Sequence, residues 1–352
     1  MNDFGEVFDR KNLKFQSKYK RTNKRILIKD EIPSINLEKG FITSIVGKSY
    51  FVNSTLNKTL NKKIICEVSG VLESQNINSS ILTVGDIVYF RRIKQHKLNK
   101  EFDYGVIQKV EKRNKWISRT SIINPSIEQV VAANIKQVLL MFSFRNPQYN
   151  KRLLDRFLVS AEIGFVKPII ILNKLDLIND DEYGVIFKDF DIYKKLKIKI
   201  IAISVVNSIN IDKIRNVLKG KKTLLLGPSG VGKSSLINAI IGQDIQKIRE
   251  ISGSTSKGKH TTSNIIMFNV STISKNTYLV DTPGIREWGI AGVDRQNLAF
   301  YFHDFDKFYN KCKYIPCSHT HEPDCAIKKG VEIGKIDYDR YISYLNIYDS
   351  IL

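Results

Sequence analysis

Acidic residues are scarce in this chain. Its 352 residues hold 35 Asp+Glu against 56 Lys+Arg, a formal net charge of +21. Cysteine is scarce too: only Cys66, Cys312, Cys317 and Cys325 are present. Four thiols in a chain of this length exclude a disulfide scaffold. No apolar run approaches the roughly 18 to 20 residues of a membrane-spanning helix. The longest, such as Gln137–Phe142, are strand-sized. Residues 1–10 lack an apolar core behind a positive start, which predicts no secretory signal and a cytoplasmic location. The apolar fraction of 42% excludes a wholly disordered or collagen-like chain. The length predicts two or three domains.

The positive excess calls for a polyanionic partner, because self-repulsion of that size opposes compactness. A Lys-rich codon bias, which the many Ile and Asn residues also fit, is the plainer alternative. The segment 10–29 is more pointed. It carries nine Lys/Arg, no Asp/Glu, and Phe15 and Tyr19 between them. It reads either as a solvated tail or as a nucleic-acid-binding arm driven by counterion release.

Residues 39 to 118 read as short strands and turns. Five β-rich runs (41–46, 50–52, 64–68, 87–90 and 105–110) are split by Gly and Asn, among them Gly70 and Gly85-Asp86. That pattern predicts a small barrel, OB-type in preference to SH3-like. Beyond Asn124-Pro125 the texture changes. Continuous apolar strands (138–142, 168–172, 198–203, 223–226, 265–270, 278–280) alternate with helical spacing, as in Leu153, Leu154, Phe157, Leu158 and Ala161. This predicts a mostly parallel sheet covered on both faces. The expected order is a basic arm (1–37), an OB-fold barrel (38–120), an α/β domain (121–300) and an α-rich C-terminal domain (301–352).

Gly227-Pro228-Ser229-Gly230-Val231-Gly232-Lys233-Ser234-Ser235 follows one such strand and opens a helix. This is the GxxxxGK[ST] phosphate loop in its strand–loop–helix setting. Glycines let successive N–H groups turn inward on phosphate oxygens, and the helix N-terminus adds partial positive charge. Lys233 is expected on the β/γ-phosphates and Ser234 on Mg²⁺. Asp281-Thr282-Pro283-Gly284 ends the last apolar strand, 47 residues after Ser234. Asp281 is placed to hold Mg²⁺ through water, and the Gly284 N–H to sense the γ-phosphate.

Asn173-Lys174-Leu175-Asp176 matches the guanine-reading NKxD motif. The Asp176 carboxylate can accept from the guanine N1–H and N2–H₂. Adenine offers neither donor and would leave a carboxylate unpaired, so GTP is favoured over ATP. Ser204, after the strand 198–203, is a candidate for the last base-contacting loop. The motif order is inverted: NKxD precedes the phosphate loop, and DTPG closes the set. One sheet can hold all three only if the chain is circularly permuted. Cys312-x₄-Cys317-x-His319-x₅-Cys325 supplies a Cys₃His set suited to tetrahedral structural Zn²⁺, with His321 a competitor for the imidazole place.

A permuted GTPase between an N-terminal barrel and a C-terminal Cys/His unit resembles the RsgA (YjeQ/YloQ) family of small-ribosomal-subunit-dependent GTPases. The resemblance covers about residues 38 to 335 and rests on several features. They are Gly40, Gly70, Gly85-Asp86 and Gly105, Ala133-Asn134, the three nucleotide motifs, Gly258-Lys259-His260-Thr261-Thr262, and the cysteine cluster. It implies an OB barrel, a permuted GTPase domain, a zinc domain using His319, and late maturation of the small (30S) ribosomal subunit with rRNA contact. Lys136 stands where the family usually has Asp, Val205 where Ala is usual, and the basic arm is longer.

The residue after DTPG is Ile285, where Ras-like enzymes carry the Gln that positions water. His260 is then the candidate to assist hydrolysis, which the family's GRHTT motif supports; a plain loop histidine is the alternative. Thr261 or Thr262 is expected on Mg²⁺, with Thr262 preferred. The expected protein is therefore a monomeric GTPase, stimulated by the small subunit, with one Zn²⁺ and Mg²⁺–GTP. Rivals are a GTP-gated RNA-binding scaffold with negligible turnover and an ATP-dependent enzyme. Membrane attachment lacks an amphipathic helix to support it.

Overall fold

The computed structural model of the protein describes residues 37–55, 63–69, 82–93, 102–242, 265–285 and 287–351. The basic arm, Gly70 and the Gly258–Thr262 motif lie outside the described residues.

The first unit is a barrel of β1 (Glu38–Val46), β2 (Ser49–Ser54), β3 (Lys63–Val68), β4 (Ile87–Ile93) and β5 (Phe102–Val110). β1 pairs antiparallel with β2 and β4, β2 with β3, and β4 with β5. β3 pairs parallel with β5. That closure, 1-2-3-5-4-1 with one parallel pair, is the OB arrangement, so the runs read from the sequence close as OB rather than SH3-like. Alternation fills the interior with Ile42, Val52, Ile64, Cys66, Val88 and Ile107. Cys66 is fully buried there, and burial lifts its thiol to about 12, which fits a small apolar filler.

A hairpin absent from the sequence reading, β6 (Trp116–Thr120) and β7 (Glu128–Ala133), follows the barrel. It seats the barrel on the next unit. A Cβ at Gly85 would fall 2.0 Å from the Ala133 carbonyl oxygen, so only glycine fits at the seam. The Ala133 N–H donates to the Val84 carbonyl, and Asn134 Nδ2 to that of Gly85. Asp86, fully buried, pairs with Arg113 at 2.7 Å beside this seam.

The α/β unit is built on β8 (Gln137–Ser143), β9 (Lys167–Asn173), β10 (Lys199–Ala202), β11 (Lys222–Leu226), β12 (Ile266–Asn269) and β13 (Tyr278–Asp281), ordered β10-β9-β8-β11-β13-β12. All neighbours run parallel except β12, which is antiparallel to β13. Ser44 of β1 pairs with Ile266 of β12, so the barrel and this sheet are hydrogen-bonded into one.

Side chains of β8 alternate between two cores. Val138, Leu140 and Phe142 face α1 (Lys151–Ile163), while Leu139 and Met141 face α4 (Ile211–Leu218) and α5 (Lys233–Ile241). α2 (Asp180–Lys188) and α3 (Asp191–Lys195) complete the connection from β9 to β10. Asn150 caps α1 by accepting from the Leu153 N–H. Leu154, Phe157, Leu158 and Ala161 of α1 are buried at the spacing expected from sequence. Each large side chain contributes about 1.5–3 kcal/mol of burial.

The C-terminal unit holds 3₁₀ turns, α6 (Ala326–Glu332) and α7 (Tyr338–Ser350). It docks on α1 through a buried charge cluster. Arg340, 3% exposed, contacts Asp155 of α1 at 2.5 Å and Asp304 at 2.7 Å. The two carboxylates hold this guanidinium charged despite its burial.

Candidate functional site

β8 to β10 step outward in one direction. The chain then returns across β8 to form β11 on the other side. The crevice between β8 and β11 is therefore a topological switch point, where open α/β sheets bind ligands beyond the carboxyl ends of their strands. The three described sequence motifs and the Ser204 loop all leave the sheet at that edge.

The phosphate loop joins β11 to α5. Gly230 and Gly232 take φ of 80° and 96°, torsions that favour glycine. A Cβ at Gly227 would fall 2.1 Å from the Met141 carbonyl oxygen of β8. Lys233 is 7% exposed, and its Nζ donates to the Gly227 and Pro228 carbonyls at 2.7 Å each. The ammonium is thus held over the loop that the phosphates would enter. Ser229, Ser234 and Ser235 are exposed, while Val231 is buried and anchors the loop from beneath.

Asn173 ends β9 and is 3% exposed. Its Nδ2 donates to the Val231 carbonyl at 2.9 Å, and its Oδ1 accepts from the Val205 N–H at 3.3 Å. One side chain ties the phosphate loop to the Ser204 loop. Lys174 adopts φ 64° and its Nζ donates to the Asn146 carbonyl. The Leu175 N–H donates to the Ile203 carbonyl at 3.1 Å. Asp176 is exposed and accepts from the Ser204 hydroxyl. The Ser204 oxygen in turn accepts from the Asn207 N–H at 3.1 Å. Asp176 and Ser204, 28 residues apart, thus share one corner of the site. β9 and β11 flank β8, which sets the NKxD and phosphate loops roughly 10 Å apart at two strand spacings. One nucleotide can bridge that span.

Asp281 ends β13 opposite Leu225, two residues before the phosphate loop begins. It is 3% exposed. The Thr282 hydroxyl donates to the Leu225 carbonyl at 2.8 Å, and the Ile285 N–H to that of Gly227 at 3.3 Å. Gly284 lies against Ser229, where a Cβ would come within 2.8 Å of its Cα. The Ile285 side chain is 8% exposed and joins the apolar core. It faces the sheet's packing, not a phosphate.

The sequence reading missed the loop after β8. The Ser143 hydroxyl donates to the Pro147 carbonyl at 2.6 Å, and Pro147 lies against Gly230. Asn146 receives Lys174. This loop walls the crevice between base and phosphate ends, and no motif marks it. His260 and Thr262 lie outside the described residues.

The Cys₃His group forms one cluster. The ligand atoms of Cys312, Cys317, His319 and Cys325 lie within 4.8 Å of one another. Cys312 Sγ to Cys325 Sγ is 3.9 Å, and each lies 3.5 Å from His319 Nδ1. A tetrahedron with metal–sulfur bonds of about 2.3 Å and metal–nitrogen bonds of about 2.0 Å has edges of about 3.8 and 3.5 Å, so the donor set fits a zinc-sized ion. Burial lifts the Cys317 thiol to about 12 and lowers the His319 imidazole to about 4, keeping it in its ligating neutral form. Tyr341 and Tyr344 donate to the His319 and Ser318 carbonyls, bracing the loop from α7. His321 is exposed, bonds Thr320, and is not a member of the cluster.

Comparison with known proteins places this geometry. The model of the RsgA GTPase family matches residues 110–291. The small ribosomal subunit biogenesis GTPase RsgA of Chlorobaculum parvum is 38% identical over 316 residues, covering 89% of this chain and 97% of that protein. YjeQ of Thermotoga maritima superposes with a TM-score of 0.65 at 27% identity, covering 89% of this chain and 98% of that one. YloQ, described as a circularly permuted GTPase, gives 0.63 at 25% identity, covering 91% and 96%. A permuted sheet that gathers phosphate and base motifs at one edge, and relatives this similar along nearly their full length, leave one assignment: the chain belongs to the RsgA GTPase family and is a GTP hydrolase.

Proposed function

We propose that this GTPase acts in late maturation of the small ribosomal subunit, binds its rRNA, and is stimulated by the subunit. The observation that carries its GTP-dependent part is the Asn173 bridge, which makes the guanine loop and the phosphate loop one structure. The ribosomal part is supported by relatives named small ribosomal subunit biogenesis GTPases. Asp176, with Ser204 beside it, reads the guanine edge. Gly227 to Gly232 offer backbone N–H groups to the phosphates, and Lys233 neutralises the β- and γ-oxygens.

Mg²⁺ would be held by Ser234 and Thr262, with Asp281 reaching it through water; bound there, it offsets phosphate charge. The exposed Ser234 hydroxyl and the Asp281 carboxylate at a strand end suit it. Gly284, packed on Ser229, would sense the γ-phosphate. His260 assists water attack, because Ile285 is committed to the core. Zn²⁺ on Cys312, Cys317, His319 and Cys325 is structural, since protein fills all four positions. The units are the arm (1–37), barrel (38–120), GTPase (121–300) and zinc domain (301–352). The barrel and arm grip rRNA, and the zinc domain adds a second contact. The protein works as a cytoplasmic monomer between subunit encounters.

GTP turnover measured with and without small ribosomal subunits tests the reading. Acceleration by the subunit supports it, and loss of that acceleration in His260→Ala assigns the histidine. No acceleration, with binding that still follows GTP, would instead fit a GTP-gated scaffold, which the burial of Ile285 favours. Co-sedimentation with subunits under GDP, GTP and a non-hydrolysable analogue reports the gating.

A further inference from the structure

The edge of the sheet opposite the nucleotide carries its own chemistry. Segments 134–136, 164–167, 195–199 and 219–222 lead into β8, β9, β10 and β11. Together they contain eight lysines and no Asp or Glu. Pairing aligns them: the Lys136 N–H donates to the Lys222 carbonyl, the Lys167 N–H to that of Lys136, and Lys199 starts the next strand. Lys136, Lys167 and Lys199 are exposed, as are Lys195, Lys197 and Lys219. Lys221 is half-buried, and its Nζ donates to the Val217 carbonyl. Lys222 turns inward, 3.8 Å over the Phe41 ring.

The plainer account is that these lysines balance helix ends. α1, α3 and α4 do finish at this edge. Each helix terminus carries roughly half a negative charge, so three supply about one and a half. Eight lysines far exceed that. The crowding is felt within the row. Burial first, and then Lys167, Lys199 and Lys136, disfavour the charged form of Lys221. A polyanion laid along the row would relieve that repulsion.

We propose that this lysine ridge, from Lys199 through Lys167 and Lys136 to Lys221, is a docking surface for the phosphate backbone of double-stranded RNA. The inference rests on the reading that the partner is RNA. Four strands at about 4.8 Å set a row of about 15 Å, long enough to meet several successive phosphates. Phe165 is the one exposed ring beside the row among the described residues. Single strands are held by bases stacked on successive aromatic rings, so the ridge suits paired RNA recognised by backbone and shape. Because it lies across the sheet from the nucleotide, RNA on the ridge leaves the GTP crevice open.

The test compares the full-length protein with its Lys136→Gln/Lys167→Gln/Lys199→Gln variant. Anisotropy of a labelled RNA duplex of about 16 base pairs is read across a salt series. GTP turnover without RNA, unchanged in the variant, verifies folding. The expected result is at least about a tenfold loss of duplex affinity, with the log–log salt slope reduced by about two to three. A variant that matches the parent in affinity and slope overturns the ridge while leaving the RNA reading intact. A parent that binds no RNA overturns both. A variant that loses polyglutamate binding but keeps duplex binding assigns the ridge to an acidic protein and overturns the proposal.

Discussion

Asn173 donates from Nδ2 to the carbonyl of Val231, 58 residues further along the chain, at 2.9 Å. The same side chain accepts from Val205. It is therefore a keystone between three loops. Replacing it with Ala leaves a buried carbonyl and a part-buried N–H without this partner, at about 1–3 kcal/mol. We expect Asn173→Ala to weaken GTP and GDP alike by about tenfold or more, measured with a fluorescent guanine nucleotide. An unchanged affinity would show that the loops hold their arrangement without it.

Asp176 tests the base assignment from the other end. An Asn at this position offers an N–H₂ where guanine also presents donors, and the two repel. Xanthine carries a C2 carbonyl instead. Asp176→Asn should lose GTP by at least about a hundredfold and gain xanthosine triphosphate, because a missing polar partner in a site built for it is worth that much. Competition binding with both nucleotides reads the switch. Retained GTP preference would move base reading away from this residue.

The metal cluster makes a stoichiometric prediction. Elemental analysis of the purified chain should find about one zinc, and Cys317→Ser should lower that content sharply. Strong chelation should loosen the C-terminal unit first, since the loop 312–325 has few apolar contacts of its own to hold it. Limited proteolysis should then cut near α6 before the GTPase sheet. Full zinc content in Cys317→Ser would exclude that thiol as a ligand.

Lys222 gives a pH signature. Burial holds its ammonium down to about 8, while the unfolded chain keeps the ordinary value of 10.5. Between those values the unfolded state binds more protons, so this group's destabilising effect is full below about pH 8 and fades as pH rises to about 10.5. The Phe41 face attracts the charge and softens the cost. Lys222→Met should therefore be more stable than the parent near pH 7, with the gap shrinking toward about pH 10. Urea midpoints across that range measure it. A gap independent of pH would trace the effect to packing.

Local chemistry explains what could be read from the sequence. The β11–loop–α5 motif has glycines dictated by torsions and a lysine dictated by phosphate, so its residues announce their roles. The α1 spacing marked its buried face, and the cysteine spacing marked the cluster. The β6–β7 hairpin carried no such mark. Its apolar residues sit in two blocks, Trp116-Ile117 and Val130 to Ala133, beside the polar Arg119, Glu128 and Gln129, so no alternation marks a strand. The loop of Ser143 to Pro147 was equally silent: it acts through the carbonyls of Asn146 and Pro147, which every residue type offers. Asn173 is marked by its motif as part of the nucleotide site, but its role in joining loops is not. Its actual partners, Val231 and Val205, are backbone groups that only the assembled sheet brings near.

The pairing of Ser44 with Ile266 gives the molecule a lever. β12 continues directly from the segment bearing Gly258 to Thr262, and its neighbour on one side is a barrel strand. Strain placed on the barrel therefore reaches the GTPase sheet by two routes, this strand and the β6–β7 hairpin on which the barrel is seated. A displacement of the barrel would then move β12 and, with it, the neighbouring strand end that carries Asp281.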